Sequence, residues 1–245
     1  MRYLKLFVSY NRKFCRLLEN AFPNFFGSPR DYQQDLLDLI SKIICEKNKL
    51  DILEVGGVDR PMLSRSENYN YVGMDIEDKP SCYECYDKFI VQSIEDKVLN
   101  KFDLIISTTL LEHVPNNQRS IQSMYDGLNS GGSMLHYIPS KYHFYSLCLR
   151  LVGPKIQKVL IEYLRPEAIA VTGYPAFFDH CSPNQMKNLL HDCGFNNIEV
   201  IPYYKATDYF AFFIPAYCFV SLFENFFEYF GIIYFASGFI IRAQK

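Results

Sequence analysis

Short apolar runs alternate with segments of helical periodicity along most of the chain. The runs lie at 51–55, 69–77, 88–93, 101–109, 131–139, 196–204 and 237–245. Each is bounded by polar or turn residues, and segments of helical length separate the later runs. Near-continuous apolar strands that alternate with helices are typical of a parallel sheet with both faces covered. The pattern therefore predicts an α/β fold.

Helical patterns occupy three segments outside these runs. Residues 31–50 carry leucines and isoleucines at helical spacing, which predicts a helix that leads into the first strand. Residues 1–22 mix basic and apolar positions and are typical of an amphipathic helix rather than a secretory signal. Ser182 and Pro183 are typical of a helix start and Gly194 of a helix end, so a late helix is predicted there.

Size and charge exclude several classes of protein. At 245 residues the chain is long enough for one sizeable domain with its own core. Its 25 Lys and Arg residues nearly balance 27 Asp and Glu residues, so no nucleic-acid partner is predicted. The eight cysteines are scattered, which is typical of reduced thiols in a cytosolic protein. Cys82 and Cys85 form one CxxC without a matching pair, and no metal site is predicted.

The first strand runs into the sequence EVGGVDRP, from Glu54 to Pro61. In an open parallel sheet, ligands bind beyond the carboxyl ends of the strands. A glycine pair there permits a tight turn and a close approach of the backbone to a ligand. The segment lacks GxGxxG and Pro61 has no N–H for a phosphate, so a dinucleotide is disfavoured. Asp75 ends the second strand about 20 residues later, the spacing at which a carboxylate binds ribose hydroxyls.

Six segments resemble, in order, the motifs of one known family. They are ILEVGG, YVGMDIE, QSIED, FDLIISTTLLEHVPN, LNSGGSMLHYIPS and LLHDCGFNNIEV, which cover residues 50–139 and 183–200. The chain is similar to the class I S-adenosylmethionine-dependent methyltransferases, in particular the branch with an LEHV-type segment after the fourth strand. The resemblance implies a Rossmann-like, seven-stranded, mostly parallel sheet with helices on both faces and an antiparallel last strand.

The same resemblance implies one methyltransferase domain over residues 1–245. Helices would occupy 1–48, and the cofactor-binding half would occupy 49–139. Two insertions, at 140–182 and 205–232, would form the acceptor side.

The matching motifs imply S-adenosylmethionine as the cofactor and assign its contacts. The implied contacts are Glu54, Gly56 and Gly57 for the methionine part, Asp75 for the ribose, Ser93 and Ile94 for the adenine, and Ser107 and Thr108 at the reactive centre. The chain departs from the family at two places. Val58 and Arg60 stand where the family commonly has further glycines, and Ser93 stands where an acidic residue often meets the adenine.

Methyl transfer from a sulfonium is an in-line displacement, so the protein must align the acceptor and exclude water. An oxygen acceptor can also need a general base, and imidazole suits that role near neutral pH. His113 and His180 are the predicted catalytic candidates, and His143 is a third histidine in the inserted region. A structural role is the alternative for each, since His113 belongs to the LEHV segment that related chains share whatever their substrate.

Residues 209–235 are unusually aromatic. The longest uncharged run within them is shorter than the about 20 residues of a spanning helix, so peripheral membrane contact is predicted instead of a span. Helical spacing puts Phe219, Phe223, Phe226 and Phe230 on one stripe, which faces either the core, a homodimer partner or a membrane. The segment also loosely resembles the late insertion of methyltransferases of bacterial surface-polysaccharide pathways, which implies a lipid-linked acceptor.

The predicted function is methylation of a small-molecule, sugar or lipid-linked acceptor, at an oxygen, by a cytoplasmic enzyme with peripheral membrane contact. A catalytically inactive methyltransferase-like scaffold or membrane-associated subunit is the first alternative, because the first motif is degenerate. An enzyme that uses a nucleotide sugar or a dinucleotide is the second.

Overall fold

The strands form one seven-stranded sheet in a computed structural model that describes residues 2–28, 30–47, 49–164 and 174–245. The strands are β1 (Leu50–Val55), β2 (Tyr69–Asp75), β3 (Lys88–Val91), β4 (Phe102–Thr108), β5 (Leu128–Pro139), β6 (Asn196–Tyr203) and β7 (Gly238–Gln244). Their order across the sheet is β3-β2-β1-β4-β5-β7-β6. β1 and β4 are central and are buried along nearly their whole length, as parallel strands covered on both faces require.

The described helices fall between these strands and before the first one. They are α1 (Arg2–Ala21), α2 (Pro23–Phe26), α3 (Tyr32–Glu46), α4 (Cys82–Cys85), α5 (Asn117–Gly127), α6 (Phe144–Leu164), α7 (Pro183–Asp192) and α8 (Ile214–Tyr229). Short 3-10 turns lie at Leu111–His113, Thr207–Phe210 and Ile233–Phe235. Gly153 (φ 73°) interrupts α6 with a kink.

The order of the strands reverses at β1. β2 and β3 lie on one side of β1 and β4 lies on the other, and β1 pairs in parallel with both of its neighbours. Ligands of open α/β sheets bind at such a reversal, outside the carboxyl ends of the strands.

Hydrogen bonds at both ends of β5 give the direction of β7. The Gly131 N–H donates to the Lys245 carbonyl at 3.1 Å, and the Ser140 N–H donates to the Ser237 carbonyl at 2.9 Å. The start of β5 therefore faces the end of β7, so the two strands are antiparallel. The predicted Rossmann-like fold, mostly parallel with an antiparallel last strand, is confirmed.

The chain divides into two compact units. The sheet unit comprises Tyr32–Pro139, Phe177–Ile201 and Phe239–Lys245. Helices α3, α5 and α7 of this unit bury apolar side chains at helical spacing, as the amphipathic pattern predicts. The buried apolar residues of these helices are Leu36, Ile40, Ile43, Ile121, Met124, Met186, Leu189 and Leu190.

The helical unit comprises Met1–Asp31, Ser140–Ala176 and Pro202–Gly238. It thus contains most of the two predicted insertions, 140–182 and 205–232, together with the first two helices. Residues 165–173 of the first insertion lie outside the described part of the chain.

The boundaries of several predicted elements shift by a few residues. β5 begins at Leu128, before the predicted 131–139, and α3 ends at Glu46. Ser182 is the N-cap residue of α7 as predicted, but its hydroxyl donates to the Gln185 side chain at 3.0 Å instead of accepting from the helix. Gly194 adopts a left-handed φ of 97° and ends α7, as glycine does readily.

A buried carboxylate organises the interior of the helical unit. Glu224 on α8 accepts hydrogen bonds from the Ala206 N–H at 2.8 Å and from the Thr207 hydroxyl. The Tyr145 N–H donates to Nδ1 of His143, so Nε2 of that ring carries the proton and donates to Glu224 at 3.2 Å. His143 is buried and packs in this cluster, which is the structural alternative considered for it.

The stripe predicted on α8 does not face the core. Phe219, Phe226 and Phe230 are 53%, 50% and 61% exposed, and Phe223 is half-buried. The buried side of α8 instead carries Tyr217, Val220, Ser221 and Glu224. Of the alternatives left open for the stripe, burial in the core is therefore ruled out for Phe219, Phe226 and Phe230, and contact with a partner or a membrane remains a prediction.

Substitution of Glu224 by Ala is expected to lower the free energy of unfolding by about 3–5 kcal/mol, because three donors, two of them on buried residues, lose their acceptor. Glu228→Ala is the matched control on the same helix, since that side chain is 38% exposed and should cost less than about 1 kcal/mol. Urea denaturation measures both variants. Equal losses in the two would contradict the assigned role of Glu224.

Candidate functional site

The carboxyl ends of the first four strands meet at one edge of the sheet unit. The register pairs are Val55 with Met74, Glu54 with Ile106 and Asp75 with Val91. Gly56, Asp75 and Thr108 are consequently level with one another at this edge. Three segments predicted to contact a cofactor thus come together, as the resemblance implies.

Glu54 holds the loop that follows β1. Its carboxylate is 1% exposed and accepts from the Tyr71 hydroxyl, from the Tyr86 hydroxyl at 3.3 Å and from the Met62 N–H at 3.1 Å. Burial raises the pKa of Glu54 to about 7, and the three donors oppose that rise. These three hydrogen bonds are within the protein, and they position the loop from Gly56 to Met62.

The two glycines of this loop are required by packing. Gly56 has a φ of +83°, and a Cβ there would lie 2.8 Å from the Leu110 side chain. A Cβ at Gly57 would lie 2.3 Å from the Tyr86 hydroxyl and 2.6 Å from the Glu54 carboxylate. Glycine is thus needed so that the backbone can approach Glu54 and its partner.

Val58 preserves the path of the loop although the family commonly has glycine there. Its φ is +50°, a left-handed conformation that glycine adopts freely and a β-branched residue adopts only with strain. The Arg60 N–H donates to the Gly57 carbonyl at 2.9 Å and closes the turn. The departure from the family pattern therefore costs strain, of order 1–3 kcal/mol, and leaves the turn formed.

Asp75 presents a carboxylate at the end of β2. One of its oxygens accepts from the Glu77 N–H at 2.8 Å, and the side chain is half-buried. Burial raises the pKa of Asp75, and hydrogen bonds from the following backbone oppose the rise. A carboxylate has about four acceptor positions, so this one can also accept from two vicinal hydroxyls.

Ser93 and Ile94 follow β3. The Ser93 hydroxyl accepts from the Glu95 N–H at 3.2 Å, and its carbonyl accepts from the Asp96 N–H at 3.1 Å. These bonds form a turn that buries Ile94. The predicted contact of this turn with an adenine remains a prediction.

Ser107 at the end of β4 bonds to a histidine in the sheet. Its hydroxyl lies 2.7 Å from Nδ1 of His136 on β5, and both residues are buried. Burial lowers the pKa of His136 to about 3, so that ring is neutral. The Thr108 side chain is half-buried at the edge, and Thr109 after it has a left-handed φ of +49°.

Glu112 of the LEHV segment is a buried carboxylate. The side chain is 6% exposed, its Oε2 has no hydrogen-bond partner among the described residues, and burial raises its pKa to about 8. The His113 ring lies 3.8 Å from the other oxygen and is 34% exposed. At neutral pH the Glu112 carboxyl is consequently protonated for the most part.

A strained loop, residues 177–182, is fastened to this segment. The N–H groups of Phe177 and Phe178 donate to the Glu112 carbonyl at 2.8 and 3.0 Å. The side-chain amide of Asn117 donates to the carbonyl oxygens of Leu111 and Asp179 at 2.8 and 2.6 Å. The loop is therefore held beside the residues that follow β4.

His180 projects from this loop with an oriented ring. Its Nδ1 lies 2.8 Å from the Asp179 carboxylate, and the side chain is 41% exposed. The other oxygen of Asp179 accepts from the Asn117 N–H at 2.8 Å. The backbone of His180 is left-handed, with a φ of +52°. Such strain persists only where surrounding contacts impose it and often marks functional sites.

Sequence reasoning missed several polar residues that build this site. They are Tyr71, Tyr86, Asn117, His136 and Asp179. A tyrosine or histidine within an apolar strand is a signal for a buried polar pair, but partners distant in sequence cannot be assigned without the fold. The structure also places no group of three or more His, Cys, Asp or Glu side chains to hold a metal ion among the described residues.

The residues at the edge fit S-adenosylmethionine. Asp75 presents a carboxylate of the kind that ribose hydroxyls require, at the topological switch point where ligands of open α/β sheets bind. The turn after β1 is formed, despite Val58, and leaves no side chain on Gly56. Pro61 lies beyond this turn. Its lack of an N–H donor has no consequence for S-adenosylmethionine, which carries no phosphate.

Comparison with known families identifies a matching domain. The family model for the methyltransferase domain matches residues 13–200 of the chain. No curated protein matches the chain significantly.

Solved structures share the fold at low sequence identity. A SAM-dependent methyltransferase from Archaeoglobus fulgidus is 14% identical, with a TM-score of 0.55 over 94% of this chain and 98% of that one. Phosphoethanolamine N-methyltransferase 2 from Haemonchus contortus, bound to phosphomonomethylethanolamine and S-adenosylhomocysteine, is 15% identical, with a TM-score of 0.51 over 99% and 60%. The N-methyltransferase NodS from Bradyrhizobium japonicum, with S-adenosylhomocysteine, is 10% identical, with a TM-score of 0.50 over 87% and 86%.

Substitution of Asp75 by Ala is expected to weaken binding of S-adenosylhomocysteine by roughly 10- to 150-fold, since charge-assisted hydrogen bonds are worth about 1.5–3 kcal/mol. Asp78→Ala, an exposed carboxylate three positions later, should bind as the parent does. Isothermal titration calorimetry compares the three proteins. Parent-like affinity in Asp75→Ala would remove Asp75 from the site.

Substitution of Glu112 by Gln is expected to flatten the pH dependence of stability. A carboxyl whose folded pKa is raised contributes stability that is full below its unfolded pKa and is lost as pH rises towards the folded value. For Glu112 the window runs from about 4.5 to about 8, at up to about 1.4 kcal/mol per pH unit. The difference in unfolding free energy between Glu112→Gln and the parent should grow across that window. Glu84→Gln, which alters an exposed glutamate, should show no such growth. If the difference in unfolding free energy between Glu112→Gln and the parent does not change with pH, Glu112 is not buried in its protonated form.

Proposed function

Because the chain belongs to the methyltransferase-domain family and is an S-adenosylmethionine-dependent methyltransferase, we propose that it methylates an oxygen of a small-molecule, sugar or lipid-linked acceptor. The observation that carries the choice of oxygen is the Asp179–His180 pair in the strained loop. A hydroxyl acceptor loses its proton during methylation, and an oriented imidazole can take that proton.

The strand edge supports the cofactor side of this proposal. Asp75 would accept hydrogen bonds from the ribose, and the turn at Gly56 and Gly57 would lie against the methionine part. Ser93 and Ile94 would flank the adenine. When bound, the cofactor supplies a methyl group made electrophilic by its sulfonium.

Glu54 acts on this site through the loop. Its contacts with Tyr71, Tyr86 and the Met62 N–H are all within the sheet unit. We therefore assign to Glu54 the positioning of the glycine turn, and its implied direct contact with the methionine part remains a prediction.

The Asp179–His180 pair has the hydrogen-bond arrangement that a general base requires. When Nδ1–H of His180 donates to Asp179, the other ring nitrogen is the proton acceptor. Asp179 is itself fixed by the Asn117 N–H, so the orientation of the ring is set by the start of α5. The N–H groups of Phe177 and Phe178 bind the Glu112 carbonyl, which holds the loop of the pair beside the segment that follows β4. Ser107 and Thr108, at the end of β4, are expected at the reactive centre.

His113 is the weaker candidate for the base. Its ring lies 3.8 Å from the Glu112 carboxyl, whose raised pKa leaves that group mostly neutral at pH 7. A neutral carboxyl cannot stabilise an imidazolium as a carboxylate beside the ring can. The geometry consequently supports His180 over His113.

Substitution of His180 by Gln is expected to lower kcat by about 10²–10⁴-fold with little change in cofactor affinity, since general-base catalysis contributes about that much. His191→Gln is the matched control, because His191 also lies beside an adjacent aspartate, Asp192, at 3.7 Å but is 82% exposed. Rates come from transfer of an isotopically labelled methyl group to small-molecule, glycan and lipid-linked fractions of the producing cell.

The same assay tests the scaffold alternative. A parent protein that binds S-adenosylmethionine and labels none of these fractions would favour an inactive scaffold. If acceptors are labelled and His180→Gln transfers methyl groups at the rate of the parent, the protein is a methyltransferase but His180 is not its base. A product labelled at nitrogen or carbon would overturn the choice of oxygen.

A further inference from the structure

Helix α1 has a buried face that fixes it in the helical unit. Val8, Asn11 and Cys15 are buried at helical spacing. The Asn11 side chain accepts from the Ile214 N–H at 3.0 Å, and Cys15 contacts the Ala211 carbonyl at 3.7 Å. One side of α1 is therefore committed to packing against the segment around the start of α8.

A second apolar stripe runs along the exposed side of α1. Its residues recur every three or four positions, which places them on one side of a helix. They are Tyr3 (86% exposed), Leu6 (47%), Tyr10 (73%), Phe14 (48%) and Leu17 (58%). A monomeric soluble protein rarely exposes so regular an apolar surface without a use for it.

Basic residues border this stripe. Lys5, Lys13 and Arg16 are exposed on the adjoining side of α1, and the sequence of the helix contains five Lys or Arg residues and one acidic residue, Glu19. The whole chain has a net charge of −2, so this positive charge is local. An apolar stripe beside a basic row is the pattern of helices that lie in the interface of an anionic bilayer.

The exposed face of α8 adds to this surface. Leu222, Phe226, Tyr229 and Phe230 are 50–84% exposed. With Phe25 they line a shallow groove, and the Asn225 side chain donates to the Phe25 carbonyl at 2.9 Å. Helix α2, which follows α1 directly in the chain, is thus joined to α8 within the helical unit.

We propose that the exposed stripe of α1 and the exposed face of α8 bind the surface of an anionic lipid bilayer. The three most exposed aromatic residues of these helices are tyrosines, Tyr3, Tyr10 and Tyr229, whose rings and hydroxyls suit the level of the headgroups. None of the described helices has the length and apolar content to cross a bilayer, so the contact is peripheral.

A bilayer matches this surface better than a second copy of the chain does. A two-fold interface pairs each patch with itself, so the basic row of α1 would face or flank an identical basic row. Anionic headgroups neutralise that row instead. The proposal extends the membrane contact expected from residues 209–235 to α1, and it does not depend on methyl transfer because binding is measured without cofactor.

The first test is flotation of the full chain with vesicles of phosphatidylcholine alone or mixed with phosphatidylglycerol. The parent should float with the anionic vesicles. Phe14→Ser combined with Leu17→Ser should weaken binding by roughly 100-fold, about tenfold for each apolar side chain. Leu99→Ser, which alters an 82% exposed leucine of the sheet unit, is the matched control and should float like the parent.

A charge substitution on the surface of α1 provides a second test that can be used if the Phe14→Ser, Leu17→Ser double variant fails to fold. Arg16→Glu should weaken anionic binding by at least about fivefold, whereas Lys187→Glu, at an exposed lysine of α7, should not. Equal binding by Arg16→Glu and the parent would overturn the role of the basic row.

The absence of Trp from the chain allows a direct probe of insertion. A single Trp at Leu17 should shift its emission to the blue when anionic vesicles are added, whereas a single Trp at Leu99 should not shift. An unshifted Leu17→Trp spectrum with no flotation of the parent would overturn the proposal. A parent that sediments as a dimer and becomes a monomer in the Phe14 and Leu17 variant, without binding vesicles, would show instead that a second copy covers the stripe.

Discussion

The candidate site depends on one buried carboxylate, that of Glu54 at the end of β1. Removing a carboxylate from water is costly unless donors surround it, and Tyr71, Tyr86 and the Met62 N–H supply them. Met62 lies eight residues along the chain, so its bond to Glu54 closes the loop between them. The glycine at 57 follows from the same contact, because any side chain there would overlap Glu54 and Tyr86.

Backbone strain is concentrated around this loop and the segments beside it. Val58 follows β1, Thr109 follows β4, and Phe178 and His180 lie in the loop fastened to Glu112, and all four have a left-handed φ. None is glycine, so each conformation is imposed by its surroundings. Methyl transfer requires the protein to hold a cofactor and an acceptor in line, and backbone strain of this kind is typical of segments that do so.

The sequence alone was sufficient for the fold and for the meeting of the predicted segments at one edge of the sheet. Alternating apolar runs and helical segments predicted the parallel sheet, and the spacing of Gly56, Gly57 and Asp75 predicted which strand ends would meet. The conformation of Val58 could not be predicted, because a valine offers no local signal for a left-handed turn that tertiary contacts impose. The partners of Glu54 and Asp179 were missed for a related reason, since Tyr86 and Asn117 are 32 and 62 residues away along the chain. The α8 stripe was ambiguous because helical periodicity defines a face without showing what covers it.

Hydrogen exchange of the full chain with and without S-adenosylhomocysteine tests the central claim most directly. Amides of the glycine turn after β1, of the residues after Asp75 and of the turn that contains Ser93 should exchange more slowly with the ligand, because these segments share the edge at which the cofactor is expected. The amides of α8 should be unaffected. Binding without protection of these three segments, or protection confined to another part of the chain, would contradict the assignment of the cofactor site to this edge of the sheet.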